Sequence, residues 1–120
     1  MNSKRCIIIP AFNEAKQIAS VIQGVRQYSA ADIVVIDDGS GDDTYERAAD
    51  MGALVIRHPF NMGAGVAIQT GYKFASANHY DILLQMDGDG QHHPAHIPEL
   101  FSIIEHQRCD IVIGSRFLTD

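Results

Sequence analysis

The chain alternates short apolar runs with longer stretches in which apolar residues recur every three or four positions. Residues 5–10 (RCIIIP) are apolar after Arg5 and end in proline, which predicts a strand buried on both faces. Residues 14–28 carry Ile18, Val21, Ile22 and Val25 at helical spacing, which predicts a helix with one apolar stripe. Residues 32–36 (DIVVI) predict a second strand, closed by Asp37-Asp38-Gly39-Ser40-Gly41. A short helix follows over 43–52, stopped at Gly52, with Ser40 or Asp43 as its candidate cap. A third strand is predicted over 53–57, then a helix over 65–77 with Ile68, Tyr72 and Ala75 on one face. A fourth strand is predicted over 81–86 and a helix over 98–106, with Pro94 and Pro98 near its start, where proline is tolerated. A fifth strand is predicted over 110–113.

Strands alternating with helices predict an α/β fold, a mostly parallel sheet flanked by helices. No linker, repeat or low-complexity stretch divides the chain, so residues 1–120 read as one unit. In such sheets ligands gather outside the carboxyl ends of the strands. The residues that follow each strand are therefore the candidates for chemistry.

Those segments are polar and glycine-rich. They are Pro10-Ala11-Phe12-Asn13-Glu14, Asp37-Asp38-Gly39-Ser40, Asn61-Met62-Gly63-Ala64-Gly65, Asp87-Gly88-Asp89-Gly90-Gln91-His92 and Gly114-Ser115-Arg116-Phe117. Loops are polar in many proteins; several acidic or amide-bearing loops on one rim are a stronger signal. Asp87 and Asp89 are the sharpest pair. They follow a buried run, and Gly88 and Gly90 permit the turn that would let two carboxylates converge on one cation. Oxygen donors of this kind suit Mg²⁺ or Mn²⁺, which also bridge to phosphates. The plainer reading is a turn whose aspartates cap the next helix. The Asp37-Asp38 pair is equally open to two readings, a turn or an acceptor for a ribose hydroxyl or base N–H.

Composition sharpens this. With 15 acidic and 9 basic residues the net charge is −6, and no basic cluster is present, which argues against a nucleic-acid partner. An acidic protein that handles phosphates needs another positive charge, and a carboxylate-bound divalent cation supplies one. No apolar run approaches the ~20 residues that span a bilayer, and the N-terminus lacks the features of a secretory signal. Cys6 and Cys109 both sit at or beside apolar runs and are expected as buried free thiols in a reducing compartment.

Other chemistries are disfavoured. Gly63-x-Gly65 follows the third strand and has Ile68 where a dinucleotide fingerprint needs glycine or alanine. No G-K-[ST] occurs, which excludes a P-loop, and no serine or cysteine sits in a nucleophile motif. His92, His93 and His96 raise a zinc site, but prolines interrupt the segment and neither a cysteine nor an H-E-x-x-H pattern is nearby. His58 and His79 read as surface or turn residues, and His106 as a favourable charge near a helix end. A receiver-like phosphotransfer domain would need an acidic pair after the first strand and a lysine after the last; Asn13-Glu14 and Ser115-Arg116 stand there instead.

Taken in order, the five strand-end segments resemble the successive motifs of the family 2 inverting glycosyltransferases, nearest to the dolichyl-phosphate mannose synthase and polyprenyl-phosphate sugar transferase group. The resemblance runs from residue 6 to residue 117 and implies a GT-A fold, a Rossmann-like domain that binds a nucleotide-diphosphate sugar. It implies that Pro10, Ala11, Asn13 and Glu14 line the nucleotide pocket. Asp38, with Asp37, would contact base or ribose. Asp87 and Asp89 would form the D-x-D site, with Gln91 as a further ligand or neighbour, and Gly88 between them would belong to the nucleotide-sugar-binding set. Arg116 would face the sugar-diphosphate side. The implied partners are a GDP- or UDP-sugar and a lipid-phosphate acceptor, and the implied cofactor is Mg²⁺ or Mn²⁺. The implied location is the cytoplasm, with association of a longer form with the cytoplasmic membrane face. Enzymes of this family are considerably longer than 120 residues, so the chain is expected to carry the donor-binding half, with an exposed edge prone to self-association. The competing expectation is a non-catalytic module that holds a nucleotide sugar.

Overall fold

A computed structural model describes residues 4–87, 94–107 and 111–113. The elements run β1 (Arg5–Ala11), α1 (Ile18–Tyr28), β2 (Asp32–Asp37), α2 (Thr44–Asp50), β3 (Leu54–Arg57), α3 (Ala64–Ala77) and β4 (Ile82–Gln85). A single 3-10 turn at Pro94–His96 then leads into α4 (Ile97–Gln107), and β5 (Ile111–Ile113) follows. The five strands form one sheet in the order β3-β2-β1-β4-β5, and every pairing is parallel. This is the expected α/β architecture. No helix among the described residues is long and apolar enough to cross a membrane.

β1 lies at the centre, and Cys6, Ile7, Ile8 and Ile9 are fully buried because both faces of the sheet are covered. Strand periodicity divides them. Ile7 and Ile9 join Ile33, Val35 and Leu84 against α1, α2 and α4, where Ile22, Val25, Phe101 and Ile104 pack. Cys6 and Ile8 join Val34, Ile36 and Leu83 against α3. Cys6 is a buried free thiol, as expected, and burial, followed by the charge of Asp32, pushes its pKa up to about 12. Cys109 lies outside the described residues.

Three local expectations are corrected. The stripe that α3 buries is Ala67, Gly71 and Ala75, not Ile68, Tyr72 and Ala75. Small residues win there because the helix rides close to the sheet; a Cβ on Gly71 would sit 2.5 Å from a methyl carbon of Ile8. The start of α1 falls at Ile18 rather than 14. The amides of Asn13, Glu14 and Ala15 are bonded to side chains of the next loop, so this stretch is held as a loop and turn. The cap of α2 is neither Ser40 nor Asp43. Asp43 occupies the cap position without a side-chain bond to the helix amides, and its carboxylate pairs with Arg47 instead. Asp42, one residue earlier, accepts the Thr44 N–H at 3.0 Å.

The chain leaves β1 in one direction to β2 and β3, and in the other to β4 and β5. The order reverses between β1 and β4, and such a switch point opens a crevice at the carboxyl ends of the strands. The Met86 amide donates to the Ile8 carbonyl at 2.9 Å, which fixes Asp87 beside the end of β1.

Candidate functional site

The rim is built by extending the sheet one residue past its strands. Ala11, Asp37 and Arg57 stand in register across β1, β2 and β3. Beyond them, Asp38 N–H donates to the Ala11 carbonyl at 2.9 Å, and His58 N–H to the Asp37 carbonyl at 2.8 Å. Asp38 and His58 therefore leave the ladder side by side.

Asp38 is buried, 4% exposed, and all its acceptor positions are filled. One oxygen accepts the Met62 amide at 2.9 Å and meets His58 Nδ1 at 2.8 Å. The other accepts the Gly63 amide at 3.0 Å and the Asn61 side-chain amide at 3.1 Å. Burial alone would raise its pKa. The hydrogen bonds from His58 and from the Met62 and Gly63 amides outweigh that and hold it below the ordinary carboxylate range. An ionised carboxylate only accepts, so His58 Nδ1 carries the proton of that bond. His58 Nε2 lies 2.8 Å from the Thr70 hydroxyl of α3. The expectation of a surface or turn role for His58 is thus corrected: it is 7% exposed and bridges β2 to α3.

Asp37 contrasts with its neighbour. Its side chain is wholly buried. One oxygen accepts the Ser40 amide at 3.1 Å. The other has no hydrogen-bond partner, although the Arg57 guanidinium stands 3.5 Å away and lies over the Tyr45 ring.

A second set of bonds clasps the first two loops together. The Asn13 amide donates to the Ser40 hydroxyl at 2.9 Å, and the Asn13 side-chain oxygen accepts the Gly41 amide at 2.8 Å. Asn13 has φ of 54°, a left-handed conformation that asparagine tolerates better than most residues. The Glu14 amide donates to the Thr44 hydroxyl and the Ala15 amide to Asp42. Gly39 holds φ of 71° while the Phe60 carbonyl carbon would lie 2.2 Å from any Cβ placed there, so only glycine fits.

Some of the expected pocket residues fall within the described structure. Pro10 and Ala11 end β1, Ala11 being buried in the core. Asn13 and Glu14 lie on the clasped loop. Asp37 and Asp38 end β2, and Asp87, partly buried, follows β4 across β1 from them. Gly88, Asp89, Gln91 and Arg116 lie outside the described residues, as do His92 and His93. Among the described residues no three histidine, cysteine or acidic side chains converge as a metal site. Asp87 is the member of the expected ligand set that the structure places, and its carboxylate oxygens suit a hard divalent cation.

Sequence reasoning missed His58, Thr70 and Asp42. For His58 a signal existed: a polar residue directly after β3 belongs to the same rim as Asp37 and Asp87. Thr70 and Asp42 carried none, since threonine in a helix and aspartate in a turn are common.

A Glycosyl transferase family 2 model matches residues 6–120, and the chain belongs to that family. It is 37% identical to a dolichol-phosphate mannosyltransferase from Pyrococcus furiosus, over 96% of this chain and 34% of that protein. It is 32% identical to a UDP-N-acetylglucosamine–dolichyl-phosphate N-acetylglucosaminyltransferase from Methanococcus voltae, over 92% of this chain and 51% of that one. Among solved structures, it is similar to glucosyl-3-phosphoglycerate synthase from Mycobacterium tuberculosis in complex with Mn²⁺, UDP and glucosyl-3-phosphoglycerate. There the TM-score is 0.70 and the identity 29%, over 86% of this chain and 40% of that one. The GT-A type of α/β fold is thereby shown. The chain spans about half the length, or less, of these relatives.

Proposed function

We propose that the chain is the donor-binding part of an enzyme that moves a sugar, with inversion, from a nucleotide-diphosphate sugar to an acceptor. The observation that carries this reading is the switch point. It sets the Asp37 loop and Asp87 on opposite sides of β1, a separation suited to holding a nucleoside at one end and its diphosphate at the other. Pro10, Ala11, Asn13 and Glu14 line the floor between them. Asp37, oriented by the Ser40 amide and paired with Arg57, would contact base or ribose. Asp87 with Asp89 and Gln91 would hold Mg²⁺ or Mn²⁺, which when bound offsets the charge of the departing nucleoside diphosphate. Arg116, which lies outside the described residues, would contribute to the sugar-diphosphate side. The acceptor oxygen bonds to the anomeric carbon as the bond to the diphosphate oxygen breaks on the opposite face.

The relatives' names favour a polyprenyl-phosphate acceptor, which is already anionic and needs no strong base to activate it. Such an acceptor would place the whole protein at the cytoplasmic face of a membrane.

Calorimetric titration with UDP and GDP, each with Mn²⁺ or Mg²⁺, tests the reading. Cation-dependent binding is expected for one of the two nucleotides. It should weaken about tenfold or more, about 1.4 kcal/mol, in Asp87→Ala and Asp89→Ala. Binding that ignores both the cation and the two aspartates would overturn it.

A further inference from the structure

The resemblance casts Asp38 as a direct contact of the nucleotide, yet its carboxylate has no acceptor position left. We propose instead that His58 is a positioning residue for donor binding, acting through Asp38 to hold the donor side of the rim in its binding shape. This inference rests on the functional reading above.

The path is continuous. His58 is anchored on α3 by Thr70 and delivers its Nδ1–H to Asp38. Asp38 in turn gathers the amides of Met62 and Gly63 and the side chain of Asn61. That draws the segment between β3 and α3 onto the end of β2, where the Phe60 backbone closes over Gly39. From Gly39 the chain enters Ser40, whose amide orients Asp37 and whose hydroxyl holds the Asn13 amide. Both residues cast in the donor pocket, Asp37 and Asn13, therefore take their place from a structure that His58 pins. A rim held rigid before the ligand arrives spares the ordering entropy that binding would otherwise cost.

The two nitrogens of His58 can be separated by substitution. In His58→Asn the side-chain amide nitrogen stands where Nδ1 stands, so the donor to Asp38 is kept and the reach to Thr70 is lost. In His58→Gln the amide reaches the Nε2 position and the donor to Asp38 is lost. The experiment measures the affinity for UDP and GDP with Mn²⁺ alongside amide hydrogen exchange at Met62 and Gly63, at a temperature where each variant is folded.

Relative to wild type, His58→Gln and His58→Ala should bind the nucleotide about tenfold more weakly. Both should exchange the two amides about tenfold faster. His58→Asn should recover both values to within about threefold. If Asn and Gln variants behave alike, or if His58→Ala binds as tightly as wild type, the inference is wrong while the functional reading stands. A wild-type chain that binds neither nucleotide overturns the functional reading and the donor-positioning role with it. Faster exchange in His58→Ala would then report a purely structural pin.

Discussion

The two ends of the sheet use the same residue types to opposite effect. At the amino end, Asp32 and Asp81 are exposed. Asp81 accepts the Lys4 amide at 2.7 Å, Lys4 Nζ donates to the Asn78 carbonyl, and the Tyr80 hydroxyl donates to Asp32. The Lys4 ammonium also lies 4.4 Å from the Tyr80 ring centre. At the carboxyl end, Asp37 and Asp38 are buried, and they are met by backbone amides, His58, the Asn61 side chain and the Arg57 guanidinium. A cavity of about 400 Å³ lies at the amino end, between Arg26, Asp32, Leu54, Phe74 and Tyr80. Its carboxylate is water-exposed and tied to a tyrosine, so the hollow adds no unmet chemistry. Burial of charge, not depth of hollow, distinguishes the end to which the proposed function is assigned. A desolvated carboxylate is tolerated only where the fold surrounds it with donors.

Asp38→Asn is the strongest test of this contrast. An amide group in that position turns its own N–H toward two of the four donors it must accept from, in a buried setting. A loss of about 3–5 kcal/mol is expected from urea unfolding, as for breaking a buried charge network. A loss below 1 kcal/mol would mean that the rim is held by something else.

Asp42→Ala should cost less, about 1–2 kcal/mol, because it removes the side-chain acceptor at the start of α2 and the partner of the Ala15 amide. The same denaturation measurement reads it, and Asp43→Ala is the control that should lie near zero.

Tyr80→Phe at the amino end is expected to cost least, about 0.5–1 kcal/mol, since the bond it removes is partly solvated. The contrast extends to pH. Asp38 has a lowered pKa. Its contribution is complete above the ordinary carboxylate range and is lost as pH falls through the folded value. Tyr80 is raised to about 12, first by burial and then by its bond to Asp32. Its contribution is complete below the ordinary tyrosine range and is lost as pH rises through about 12. Acid should therefore loosen the carboxyl rim and alkali the amino end. Phenolate absorbance, with Tyr80→Phe as reference, follows the second; amide exchange at Met62 and Gly63 follows the first.

Much of this was legible in the amino-acid pattern, and for a physical reason. A strand covered on both sides must be apolar along its covered length, which is why residues 6–10 and 33–36 declare themselves. A helix covered on one side must repeat every three or four residues, which is why Ile18, Val21, Ile22 and Val25 do. Polar strand-end segments likewise stood out because the runs before them are so apolar. α3 was misread because its buried face is made of alanine and glycine, and hydrophobicity does not register a helix that packs through small residues. The start of α1 was misread because amides 13–15 are claimed by Ser40, Thr44 and Asp42, residues 27 to 30 positions away.

The local pattern of residues by itself thus determined the succession of strands and helices and the rim on which polar groups collect, while the ordered strand-end motifs carried the resemblance to the family. Only the folded arrangement decided what the adjacent aspartates do. Asp37 and Asp38 are identical in type and neighbours in sequence, but strand alternation turns them into different surroundings. One keeps an oxygen without a hydrogen bond, and the other is closed by His58, Asn61, Met62 and Gly63, residues distant in the chain that the parallel crossover brings alongside.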